Sequence, residues 1–330
     1  MIKIGINGFG RIGRLAFRSI INRQDIEVVA INDLMPADYI AYALKYDSVH
    51  GRFQGEIEVI NDMLLVNGKS IRITSKKNPK NISWDKVDVD FVIESTGNFT
   101  NRNAASLHLK GGAKKVVISA PSEDAPTYVM GVNHTNLFKD ELVFSNASCT
   151  TNCLAPIVKI LNDNFKISEA MVTTVHCATS SQNTVDGALK QLRRGRSSLN
   201  NIIPTTTSAS HSLIKIIPEL NGKFLATAFR VPVPDVSLID LTVRFQKSTT
   251  YSKIKEIVKN ASENELKGIL GYTEDEVVSQ DFVSDTRTSI FDAKAGLALN
   301  DNFFKIICWY DNEFGYSTKI VDLILYANSL

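Results

Sequence analysis

Short apolar runs alternate with helical stretches over the first half of the chain. IKIGIN (2–7) and IEVVAIN (26–32) are strand-like, and the segment after Gly10 carries helical spacing to about Arg23. VDFVIES (89–95) and KKVVIS (114–119) follow, each ended by turn residues, and LVFSN (142–146) closes the series. Near-continuous apolar strands are buried on both faces, and strand–helix–strand alternation places them in a parallel, doubly wound sheet. IEVINDMLLVNGKSIRIT (57–74) differs: two alternating runs around Asn67–Gly68 predict a hairpin insertion.

After Cys149 the texture changes. TNCLAPIVKILNDNF (151–165) puts Leu154, Ile157, Val158 and Leu161 on one helical face. The later strands, KFLATAFRVPV (223–233), SLIDLTVRF (237–245) and FKIICWY (304–310), are longer and alternate. That pattern predicts an α+β unit with a largely antiparallel sheet and helices on one face. SKIKEIVKNASENELK (252–267) reads as an amphipathic helix and TKIVDLILYANSL (318–330) as a final helix. The boundary falls near 148–150, and 330 residues suit about two domains.

Composition narrows the function classes. Hydrophobic residues make up 44% and charged residues 22%, which excludes disorder as the main state. Lys and Arg number 37 against 35 Asp and Glu, so a net charge of +2 gives no electrostatic case for nucleic acid or an anionic membrane. No apolar run approaches the ~20 residues of a membrane span. Glycines and charges interrupt the apolar residues of the N-terminus, unlike a signal peptide. The four cysteines, Cys149, Cys153, Cys177 and Cys308, form neither a disulfide framework nor a CxxC pair, so no metal is expected. The expectation is a soluble, reduced, cytoplasmic protein.

Gly8-Phe9-Gly10-Arg11-Ile12-Gly13 is GxGxxG between a predicted strand and a predicted helix. Such glycines permit a tight turn and close approach of a pyrophosphate, which the helix N-terminus favours. Asp33 follows the second strand, 20 residues beyond Gly13, where a carboxylate accepts from both ribose hydroxyls and repels a 2′-phosphate. The pair reads as a dinucleotide site that prefers NAD to NADP. Ser145-Asn146-Ala147-Ser148-Cys149-Thr150-Thr151-Asn152-Cys153 leads into an apolar helix, with Ser148 as N-cap. Cys149 then lies in the first turn, where the helix dipole favours a thiolate. Cys153, followed by Leu154, fits a buried small hydrophobe better. His176 ends an apolar run and is a candidate base for Cys149, although spacing alone does not bring the two together. Arg193, Arg194 and Arg196 form a basic cluster that suits an anion, a solvated loop or a subunit contact equally. Arg230, embedded in apolar sequence, calls for an anionic partner.

From residue 1 to about 328 the chain resembles the phosphorylating glyceraldehyde-3-phosphate dehydrogenases. INGFGRIGR (6–14), AINDL (30–34), KYDSVHGRF (45–53), SNASCTTNCLAP (145–156), PELNGK (218–223) and WYDNEFGYS (309–317) carry the resemblance. It implies a Rossmann domain over 1–148, a catalytic domain over 149–311, and a C-terminal helix, about 312–330, that returns to the first. It implies Cys149 as nucleophile, His176 as base, and NAD contacts from Arg11, Ile12, Asp33, Lys77, Ser119, Asn312 and Tyr316. Ser148, Thr150, Thr207 and Arg194 resemble the site of the attacking phosphate; Thr179 and Arg230 resemble that of the substrate phosphate. Glyceraldehyde 3-phosphate and inorganic phosphate are the implied substrates, and segment 178–200 implies a homotetramer.

Departures lie in one region. The family's HAxTxxQ is His176-Cys177-Ala178-Thr179-Ser180-Ser181-Gln182, its proline after Asp186-Gly187 is Ala188, and the following loop is one residue shorter. Its TGAAKA is Thr207-Ser208-Ala209-Ser210-His211-Ser212, so Ser208 puts a side chain where a permissive backbone is usual, and can itself donate to phosphate. Two other functions stay open at this level: an erythrose 4-phosphate dehydrogenase of the same fold, and an NAD-binding adhesion or regulatory protein.

Overall fold

The computed structural model describes all 330 residues, which divide into two units. The first comprises residues 1–128, 133–147 and 317–330; the second comprises 129–132 and 148–316.

The first unit is built on strands β1 (Ile2–Asn7), β2 (Ile26–Asn32), β3 (Ile57–Ile60), β4 (Met63–Val66), β5 (Lys69–Thr74), β6 (Phe91–Glu94), β7 (Lys115–Ile118) and β8 (Val143–Ser145). Helices α1 (Arg11–Ile20) and α2 (Ala37–Lys45) and the short α3 (Arg102–Ala105) and α4 (Leu107–Lys110) connect them. The sheet order is β3-β4-β5-β2-β1-β6-β7-β8. From β5 to β8 every pairing is parallel, and the order reverses direction at β1. This is the Rossmann order, in which ligands bind beyond the carboxyl ends of the strands at the reversal.

The predicted hairpin over 57–74 is one strand short. A second tight turn sits at Asn61–Asp62, both at positive φ (50° and 61°), in addition to Asn67–Gly68 (50° and 76°). Asn, Asp and Gly are the residues that accept this backbone, so the segment folds into three strands, the last of which joins β2 in parallel.

Gly8 and Gly13 shape the turn after β1. Gly8 has φ +89°, and a Cβ on Gly13 would lie 2.1 Å from the Gly8 carbonyl oxygen. We therefore expect Gly13→Ala to displace the turn, costing about 1–3 kcal/mol of stability and weakening dinucleotide binding. Urea denaturation and titration calorimetry check this; wild-type values for both would show that the close packing is unnecessary.

The second unit opens with α5 (Cys149–Phe165) and continues through β9 (Ile167–His176), β10 (Ile203–Thr205), α6 (Ala209–Ile216), β11 (Phe224–Arg230) and β12 (Ser237–Phe245). It then runs through α7 (Tyr251–Glu263), β13 (Leu270–Thr273), β14 (Ser289–Asp292), β15 (Leu297–Asn300) and β16 (Phe303–Tyr310). The strands lie in the order β10-β11-β9-β12-β16-β14-β13, with β15 beside β16. Only β11·β9 and β13·β14 are parallel. The burial of β12 alternates strictly, as the sequence pattern requires of a strand with one face in the core. Helix α8 (Phe314–Ser329) buries Ile320, Val321, Leu323 and Ile324. Its Asp322 pairs with Arg23 at 2.8 Å, and Ser317 Oγ donates to the Ile12 carbonyl at 3.3 Å.

Candidate active site

In the first unit a cavity of about 530 Å³ lies at the carboxyl ends of the strands, lined among others by Gly8, Gly10, Asp33, Lys77 and Thr96. Asp33 closes its floor: Oδ2 accepts the Phe9 N–H at 2.6 Å and Oδ1 the Met35 N–H at 3.0 Å. Gly10 caps α1 with an extended backbone and no side chain, and a Cβ there would meet nothing within 4 Å. A cradle that side chains would fill, a helix N-terminus and a carboxylate after β2 together fit the phosphates and ribose of a dinucleotide. Arg11 at the start of α1 pairs with Asp47, and Ser119 donates to the Glu94 carbonyl at 2.9 Å.

In the second unit Ser148 caps α5, its Oγ accepting the Thr151 N–H at 3.1 Å, and Cys149 is the first helical residue. Cys149 Sγ stands 3.6 Å from His176 Nε2 at the end of β9. Parallel pairing of β11 with β9 sets Arg230 in register with His176. His176 Nδ1 is 3.0 Å from the Cys177 carbonyl and 2.5 Å from Arg230 Nη1, which itself donates to that carbonyl at 2.9 Å. When Nδ1–H donates to the carbonyl, Nε2 keeps its lone pair toward the thiol; when Nδ1 accepts from Arg230, Nε2 carries the proton.

Burial, with the Arg230 charge second, lowers the His176 pKa to about 3, against the opposing hydrogen bond to Cys177. Burial also pushes the Cys149 thiol up. The Arg230 charge, the Thr150 hydroxyl and the N–H groups of Cys149 and Thr150 pull it down without prevailing. The helix N-terminus acts in the expected direction, but desolvation of the anion is larger. The resting pair is thus a thiol beside a neutral imidazole, arranged for proton transfer.

Residues 2–102 match the family described as glyceraldehyde 3-phosphate dehydrogenase, NAD binding domain, and residues 148–312 match its C-terminal domain. The chain belongs to the glyceraldehyde-3-phosphate dehydrogenase family. NAD is therefore the dinucleotide that the glycine cradle and Asp33 fit. Glyceraldehyde-3-phosphate dehydrogenase 2 of Mucor circinelloides f. lusitanicus is 58% identical over 327 residues, 98% of this chain and 97% of that protein. Glyceraldehyde-3-phosphate dehydrogenase A of Escherichia coli K12 is 57% identical over 329 residues, 99% of both. The Salmonella typhimurium LT2 glyceraldehyde-3-phosphate dehydrogenase is 56% identical over the same length, again 99% of both.

Within this glyceraldehyde-3-phosphate dehydrogenase fold, the implied phosphate ligands are gathered only in part. Arg194 Nη2 donates to Ser181 Oγ at 2.9 Å, and Ser181 meets Thr179 Oγ1 at 3.1 Å, so one chain of contacts joins residues assigned to two anion sites. Thr207 Oγ1 accepts the Ala209 N–H at 3.2 Å. The Thr150 hydroxyl turns inward to Tyr310 at 3.0 Å rather than outward. Ser208 has φ −85°, an ordinary value, so the glycine usual there is not required by the backbone. Tyr316 and Asn312 are buried.

Several supporting residues escaped the sequence reading. Tyr310 Oη joins Thr150 at 3.0 Å to Thr174 at 2.9 Å, tying the start of α5 to β9 and so helping to set the distance between Cys149 and His176. Tyr310 lies inside the WYDN motif, which could have marked it. Behind the cofactor cavity, the buried Glu94 accepts from Asn7 Nδ2 (2.6 Å) and the Thr96 N–H (2.8 Å). His108 Nε2 is 2.9 Å from Glu94, and the Trp84 indole donates to His108 Nδ1 at 3.0 Å. That network holds two walls of the cavity, and no local motif announces it.

Proposed function

We propose that this chain oxidises D-glyceraldehyde 3-phosphate and phosphorylates the product to 1,3-bisphosphoglycerate, the glycolytic reaction of its family. The observation that carries the reading is Cys149 Sγ at 3.6 Å from His176 Nε2, at the N-terminus of α5.

Cys149 Sγ adds to the aldehyde carbon as its proton passes to His176 Nε2 and on to the carbonyl oxygen, giving a thiohemiacetal and leaving Nε2 free again. Bound NAD would supply the hydride acceptor for that carbon. The product on Cys149 is a thioester, with His176 taking the hydroxyl proton of the thiohemiacetal. Thioesters gain little stabilisation from resonance, so inorganic phosphate attacks the acyl carbon and the thiolate leaves. Backbone N–H groups at the start of α5 and the His176 N–H stabilise the oxyanion. Thr179 and Arg230 hold the substrate phosphate; Ser148, Thr150, Arg194, Thr207 and Ser208 serve the attacking one, with Thr150 acting through its N–H unless its side chain turns. Arg11, Ile12, Lys77, Ser119, Asn312 and Tyr316 complete the cofactor contacts. A phosphate on Arg230 offsets the charge that depresses His176, so the base strengthens when substrate arrives.

The chain works as a cytoplasmic homotetramer in this reading. Leu192 (85% exposed) and Leu199 (67%) in the 178–200 loop, and Met171 (66%) and Leu225 (64%) on the sheet, are apolar surface suited to subunit contacts. All four cysteines are free thiols, in keeping with a reducing compartment, and no helix is long and apolar enough to cross a membrane.

NADH formation from glyceraldehyde 3-phosphate and NAD, with and without inorganic phosphate, tests the function. Expected are sustained turnover with phosphate and a burst of about one NADH per active subunit without it. A higher kcat/KM for erythrose 4-phosphate, or no NADH from folded protein that binds NAD, overturns it.

A further inference from the structure

Cys177, the residue after the base, stands where the family segment has alanine, and the reaction as described uses none of its side chain. It is fully buried in the second unit. Its Sγ–H donates to Asn312 Oδ1 at 3.2 Å. Ser237 Oγ–H donates to the same oxygen at 2.8 Å, and Ser237 in turn accepts the Cys177 N–H at 3.1 Å. Burial, followed by the charge of Asp235, pushes the Cys177 thiol up to about 12, so it stays a donor throughout the working range.

These bonds decide which way the Asn312 amide points. A carbonyl oxygen has two lone pairs, and both are engaged. Were the amide reversed, its Nδ2 hydrogens would face two groups that each have a proton to give. Ser237, already accepting from Cys177, would then hold a proton with no acceptor. The amide is fixed with Oδ1 inward, and Nδ2 is the end left to donate.

We propose that Cys177 is a positioning residue: with Ser237 it locks the Asn312 amide so that Nδ2 is the end offered to the nicotinamide part of NAD. This rests on the cofactor role assigned to Asn312 above. The Cys177 carbonyl meanwhile receives His176 Nδ1 and Arg230 Nη1, so one residue orients the base through its backbone and the cofactor contact through its side chain.

The test is titration calorimetry of the full chain with NAD and with ADP-ribose, which lacks the nicotinamide ring. Cys177→Ala is expected to weaken NAD by about 3-fold, the scale of one modest hydrogen bond, without changing ADP-ribose. Cys177→Ser restores the donor and returns NAD affinity to the wild-type value. Asn312→Ala weakens NAD at least as much as Cys177→Ala and spares ADP-ribose. If Asn312→Ala weakens NAD but Cys177→Ala does not, the positioning role is overturned and the Asn312 contact stands. If Asn312→Ala has no effect, the underlying contact fails, and the proposal with it. Equal weakening of NAD and ADP-ribose by Cys177→Ala, or a serine variant no better than alanine, assigns Cys177 to packing and overturns the proposal.

Discussion

Cys149→Ser should lower phosphate-dependent NADH formation by ~10⁴-fold or more, the scale seen when a covalent nucleophile is removed. A serine hydroxyl is far less acidic than a thiol, so the His176 imidazole removes its proton poorly. Any acyl-enzyme formed would be an ester, less open to phosphate than a thioester. NAD affinity should remain, because the glycine turn and Asp33 are untouched. Cys153→Ser is the matched control. Cys153 is buried, and its Sγ donates only to Ser289 Oγ, at 3.8 Å, a contact a hydroxyl can reproduce. Turnover by Cys149→Ser within ~10-fold of wild type would remove Cys149 from the chemistry, since that loss is smaller than a general base alone contributes.

His176→Asn should cost ~10²–10⁴-fold in kcat and abolish the acid limb of the pH–rate profile that the imidazole creates. The same substitution has a stability signature. The His176 pKa is lowered from 6.5 to about 3 on folding, first by burial and then by Arg230. Below 6.5 the unfolded chain takes a proton that the folded chain refuses until about pH 3. The unfolded state then binds more protons, so the stability present above 6.5 is lost as pH falls, by about 1.4 kcal/mol per pH unit from this group. Asparagine cannot titrate, so its variant should lose less stability between pH 6.5 and 4. Urea denaturation at several pH values reads the difference. Parallel losses in both proteins would mean that His176 is not held neutral by the fold.

The first unit was legible in the sequence because its signals are local. A strand, a glycine turn and a helix are contiguous, and Asp33 follows the next strand of the same sheet. The helix start at Cys149 was legible for the same reason, since Ser148 and the apolar face lie within one segment. Contacts set by sheet register were not. Nothing in the spacing of His176 and Arg230 says that parallel pairing of β9 and β11 makes them neighbours. Tyr310 reaches Thr150 and Thr174 only because β16, β12 and β9 lie side by side. β13, β14 and β15 have four residues each, too few to show periodicity. The Asn61–Asp62 turn hid inside an alternating run because two residues barely interrupt it. The rise of the Cys149 pKa was hidden too, since the helix dipole is written in the sequence and desolvation is not.

The first unit is discontinuous, taking residues 1–128 and 133–147 and then 317–330. During synthesis its eight strands leave the ribosome early, but Ile320, Val321, Leu323 and Ile324 of α8 are made only after the whole second unit. Until then the apolar surface those residues cover stands open, and such surface makes an incomplete chain prone to aggregate. The second unit, nearly contiguous from 148 to 316, is free to finish first. Removing residues 317–330 should therefore leave the second unit with all its strands and the first without its closing helix.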